Sequence, residues 1–106
     1  MTHRPLNDAK RVVIKIGSQL LVDPETGHVH RRWLETLADD IAILRNQGKE
    51  VTIVSSGAIA VGRRHLKLPT GKLMLAEQQA AAATGMVRLA HAYQEVLGLH
   101  DLTVAQ

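Results

Sequence analysis

The chain has 106 residues, within the usual range for one domain and too few for two, and its 45% hydrophobic and 22% charged residues are the balance of a globular protein. The formal charge is only +3, from 13 Lys+Arg against 10 Asp+Glu. The basic pairs Arg31-Arg32 and Arg63-Arg64 are too short for a nucleic-acid or membrane patch and read as solvated helix surface. There is no cysteine, which excludes disulfide and thiolate chemistry, and no apolar run approaches the roughly 20 residues of a membrane helix. The polar N-terminus lacks a secretory h-region, so the expectation is a cytoplasmic protein with neither nucleic acid nor membrane as partner. With one Trp, one Tyr and no Phe the core must be aliphatic, which favours a helical or α/β fold.

Residues 1–10 are polar, interrupted by Pro5, and read as a lead-in. Residues 11–16 form a β-branched run ending at Gly17, the pattern of a strand buried on both faces of a parallel sheet. The cluster Asp23, Pro24, Glu25, Thr26 and Gly27 predicts a turn. Over residues 31–47 the period changes: Leu34, Leu37, Ala38, Ile41 and Leu44 line one side, and Glu35, Asp39 and Asp40 the other. This is an amphipathic helix, with Gly48 placed to end it in a left-handed conformation. Residues 51–54 are a second β-branched strand, so the whole makes a βαβ unit with parallel strands and a right-handed crossover. Ser55, Ser56 and Gly57 make a tight turn into a short helix over 58–66, and Leu68, Pro69, Thr70 and Gly71 break the chain. A long helix follows over 72–97, with Gly98 as its stop; its four alanines, Ala80 to Ala83, make it thin enough for a neighbour to approach closely. Residues 102–105 look like a third strand, and a domain that ends on its third strand is expected to continue.

Two glycine turns follow the two strands, and ligands of parallel α/β sheets bind beyond the carboxyl ends of the strands. In the first, Lys15 interrupts an apolar strand. An unpaired buried ammonium is costly, so Lys15 needs an anion, an opening to solvent, or a carboxylate at the sheet end. Gly17, without a Cβ, lets a backbone N–H approach phosphate oxygens. In the second turn, Ser56, Gly57 and Ala58 open a helix whose free N–H groups attract anions, while Ser56 either caps that helix or bonds a ligand carboxylate. Gly57 to Gly62 has the glycine spacing of a P-loop, but Arg63-Arg64 stands where Lys and Ser/Thr would hold phosphate and Mg²⁺. No dinucleotide fingerprint occurs. His28 and His30 have no third ligand nearby, so no metal site is indicated, and Ser55 and Ser56 have no identifiable His–Asp partner for nucleophilic catalysis.

The segments 12–18, 54–63 and 79–85, the last followed by Arg88 and Leu89, carry a resemblance to the amino acid kinase family, and within it to the members acting on the side-chain carboxylate of L-glutamate. The resemblance covers residues 11 to 106 and implies the N-terminal, incomplete part of a parallel-sheet αβα sandwich domain. It implies ATP and Mg²⁺, with Lys15, Gly17 and Ser18 around the nucleotide phosphates and Lys15 offsetting charge during transfer. Ser56, Gly57 and Ala58 would hold the glutamate. It further implies a homo-oligomer and further ligands beyond residue 106, so that this stretch alone has no turnover. Gln19, Gln78 and Met86 depart from residues usual in the family. Two alternatives stay open: another amino acid kinase, acting on N-acetylglutamate or aspartate, and a non-catalytic anion-binding α/β module.

Overall fold

The computed structural model describes residues 8–69 and 71–105; most of the expected lead-in, residues 1–7, lies outside the described residues, as do Thr70 of the expected break and Gln106. Strand β1 (Arg11–Ile16) leads through a four-residue helix α1 (Ser18–Leu21) to helix α2 (Arg31–Asn46). Strand β2 (Glu50–Ser55), helix α3 (Ala58–Leu66) and helix α4 (Leu75–Gly98) follow. The two strands pair in parallel from Arg11–Glu50 to Ile16–Ser55, so the βαβ reading holds.

One face of this sheet carries the core. Ile14, Ile16, Val51 and Ile53 pack with Leu34, Ala38 and Ile41 of α2 and with Leu89, Tyr93 and Val96 of α4. The period of α2 explains its position: residues at 34, 38 and 41 share one side and are buried, while Glu35, Asp39 and Asp40 face water. Gly48 takes φ +80°, and Gly48 N donates to Arg45 O, which ends the helix as expected. Lys49 is buried behind it, with its ammonium donating to Ala9 O at 2.6 Å.

Strand β1 is not buried on both faces, contrary to the sequence expectation, and β2 is open on the same side. Val13 is 67% and Val54 49% exposed, because no described element covers the second face of the sheet. Among the described residues the expected third strand does not form. Residues 102–105 alternate inward and outward like a strand, with Leu102 and Val104 packed on the core, but they make no ladder with β2. Leu102 N instead donates to Leu97 O and caps α4, and a groove of 890 Å³ separates residues 101–105 from β2.

The expected thin helix is borne out by the packing of α3 on α4. A Cβ built on Gly62 would overlap the carbonyl oxygen of Ala81, and one built on Gly85 would overlap that of Ala58. The two helices therefore meet main chain to main chain at two points. Two polar ties join α2 to the end of α4 and the turn after it: Arg31 Nη1 to Glu95 Oε1 at 3.2 Å, and His100 Nε2 with Asp39 Oδ1 at 2.9 Å. Among the described residues no helix is long and apolar enough to cross a membrane.

Candidate anion site at the strand ends

The carboxyl ends of β1 and β2 lie side by side, Ile16 beside Ser55 in the parallel register. Each strand runs directly into a turn and a helix, so the two turns emerge at the same edge of the sheet. Ser56 stitches them together: its N–H donates to Ile16 O at 3.4 Å and its hydroxyl reaches the same oxygen at 3.5 Å. Gly57 sits at φ +102°, a conformation that side chains rarely adopt, and starts α3. A Cβ on Gly57 would lie 3.0 Å from Val22 Cγ2 and 3.6 Å from Ser18 Cβ, which places Ser18 of the first turn against Gly57 of the second.

No side chain caps α3, so Ser56 does not act as the cap that its position suggested; the helix begins at Gly57 with the N–H groups of its first turn uncapped. These donors and the positive end of the helix dipole suit a carboxylate or phosphate oxygen. Ala58, the first residue of α3, is half-buried over Gly85.

Gly17 behaves differently from Gly57. Its φ is −70°, open to any residue, and nothing lies within 4 Å of a Cβ built there. Neither backbone nor packing requires a glycine at 17, so the space beside it is free for a ligand. Lys15 projects from the open face of the sheet, opposite Val54 in the register. It makes no hydrogen bond or ion pair with a described residue, so the carboxylate partner that its burial would have demanded is replaced by an opening to solvent. The structure thus brings Ser18, Ser56, Gly57 and Ala58 together, with Gly17 at the adjoining turn. Lys15 stands on the neighbouring face without a hydrogen bond or ion pair to the second turn.

Two buried neighbours of the turns carry no motif. Val22, fully buried, backs Gly57. Tyr93 of α4 has its hydroxyl buried near Ser55; burial raises its pKa above 10.0, and the Ser55 side chain tempers the effect. The sequence singles out neither. Among the described residues no group of three or more His, Cys, Asp or Glu is arranged to hold a metal ion.

The amino acid kinase family matches residues 10–106. The glutamate 5-kinase of Paramagnetospirillum magneticum is 62% identical over 102 residues, which cover 96% of this chain and 27% of that protein. That of Rhodospirillum rubrum is 60% identical over 94 residues, 89% of this chain and 25% of the relative. That of Bradyrhizobium diazoefficiens is 50% identical over all 106 residues, 28% of its length. The chain therefore spans between 25% and 28% of these relatives. With the match running through both strands, both turns and all four helices, this chain belongs to the amino acid kinase family.

Proposed function

We propose that the protein containing this chain transfers the γ-phosphoryl group of ATP to the side-chain carboxylate of L-glutamate, giving glutamyl 5-phosphate as the first step towards proline. The juxtaposition of Ser18 and Gly57, which merges two anion-suited turns into one site, is the observation that carries the reading. The names of the relatives supply the substrate.

In this reading the substrate carboxylate oxygen attacks the γ-phosphorus, the bond to the β,γ-bridging oxygen breaks, and ADP leaves. Such transfer needs positioning and charge stabilisation rather than covalent help. Lys15, which makes no ion pair with a described residue, offsets the charge on the phosphates. Gly17 and Ser18 offer a close backbone approach and a hydroxyl to the moving group. Ser56, Gly57 and Ala58 hold the glutamate carboxylate against the uncapped start of α3. Mg²⁺, which the family implies, finds no ready ligand set among the described residues. The same reading makes residues 11–106 the N-terminal part of a larger αβα sandwich, in a cytoplasmic homo-oligomer, and leaves this stretch alone without turnover.

The test is ATP-dependent hydroxamate formation by the full-length protein with L-glutamate, N-acetylglutamate or aspartate, with the Lys15→Ala variant alongside. Glutamate-selective product that collapses in Lys15→Ala supports the reading. Product with another acceptor, or a folded protein with none, refutes it.

A further inference from the structure

We infer that Gly85 of α4 and Val22 after α1 are positioning residues that fix where the Ser56–Gly57–Ala58 turn holds its carboxylate ligand; the inference rests on the glutamate reading above. Neither residue belongs to the turn, and neither reaches a ligand bound there. Both act through its backbone.

Gly85 is buried, and a Cβ on it would overlap the Ala58 carbonyl oxygen and lie 2.5 Å from the Ala58 carbonyl carbon and 2.9 Å from its Cα. The first residue of α3 therefore rests on the backbone of α4 with no side chain between them. Val22 is 1% exposed and supports the turn one residue earlier, its Cγ2 3.0 Å from the Cβ position of Gly57. Gly57 and Ala58 are thus held between two fixed surfaces. Their amides aim where these surfaces put them. Geometry at a reacting centre is sensitive to displacements of this size: a misplacement of about 1 Å can cost roughly a hundredfold in rate.

The fold supplies matched controls. Gly62 makes the same kind of contact between the same two helices, its Cβ position overlapping Ala81 O and lying 2.5 Å from the Ala81 carbonyl carbon, but it sits one helical turn past Ala58. Val96 is as buried as Val22, at 1% exposed, and belongs to the far part of α4. A methyl group at 85 must push Ala58; one at 62 pushes Ala81. Trimming Val22 loosens the support of Gly57; trimming Val96 opens the core elsewhere.

The experiment measures KM for glutamate, KM for ATP and Tm on the full-length protein for Gly85→Ala, Gly62→Ala, Val22→Ala, Val96→Ala and Ser56→Ala. Gly85→Ala and Val22→Ala are expected to raise the glutamate KM about tenfold while the ATP KM stays within about twofold. Gly62→Ala and Val96→Ala are expected to lower Tm to a similar extent with both KM values kept. If Gly85→Ala does not fold, the Val22 and Val96 pair decides. A glutamate-active wild type, with Ser56→Ala weakened for glutamate, whose Val22→Ala and Val96→Ala variants share one glutamate KM overturns this inference alone. A wild type with no glutamate turnover overturns the reading of the site and this inference with it.

Discussion

Replacing Tyr93 by Phe is expected to stabilise the chain. Tyr93 is 7% exposed, and its hydroxyl is buried without a hydrogen bond of normal geometry to any described residue. A buried polar group left unpaired costs about 1–3 kcal/mol, whereas the ring's burial is the same for Phe. Ser55 is near enough to return part of that cost, so the expected gain is about 1 kcal/mol. Urea unfolding at neutral pH measures it as a higher midpoint at unchanged slope. A second signature comes from alkaline pH. Burial raises the folded-state pKa of Tyr93 above the 10.0 of the unfolded chain. The associated stability is therefore complete below pH 10.0 and is lost as the pH climbs from there through the folded value, because the unfolded chain ionises first. Tyr93→Phe should remove that component of the alkaline decline. A loss of 1 kcal/mol or more in Tyr93→Phe would refute the reasoning, since it would mean that the hydroxyl has a partner worth keeping.

Leu34→Ala, at a fully buried position facing the sheet, should cost about 3 kcal/mol in denaturant unfolding, from lost transfer energy and the cavity left behind. Gly57→Ala should cost about 2 kcal/mol from the positive φ alone, with the Val22 contact adding to it, and should abolish carboxylate binding in calorimetry. Asp23 Oδ1 accepts the backbone N–H groups of Glu25 and Thr26 at 2.8 and 3.2 Å, which holds its pKa below the usual 3.8. A carboxyl NMR titration should find it there, and Asp23→Asn should remove a stability component that is present above pH 3.8 and lost as the pH falls through the folded value.

The β-branched runs gave away both strands, and the 3.6-residue period gave away α2, because in each case one face of the element is set by burial. The second face of the sheet was misread for the same reason. Val13 and Val54 are apolar like their inward neighbours, and the sequence pattern cannot say whether the element that covers them lies within the chain. Helix α1 is four residues long, too short to show a period, and was not legible. Helix α4 begins at Leu75 rather than 72 because Glu77 Oε1 accepts the Met74 N–H at 2.9 Å, a local bond that outranks composition. In the site, the glycines and serines of both turns were legible from chemistry alone, yet their roles divided only in three dimensions. Gly57 is demanded by its backbone and Gly17 by nothing among the described residues. Lys15 was ambiguous between an ion pair and an anion site until its exposure and lack of a described partner were seen. Val22 and Gly85 bear on the turn by contact and have no motif to announce them.

The crossing of α3 and α4 restricts how these helices can diverge. When a glycine accommodates a bulky side chain, a later change in that side chain can make room for a larger residue. Gly62 and Gly85 meet carbonyl groups instead, and every residue at 81 or 58 presents the same carbonyl. No second substitution at those partners compensates for the first. Elsewhere on the two helices, Ile59, Val87 and Arg88 are exposed, and exchange there does not press on the backbone of the partner helix. Descendants of this chain can therefore vary the outer surface of the helix pair, while a replacement of either glycine requires the two backbones to part at its own point of contact.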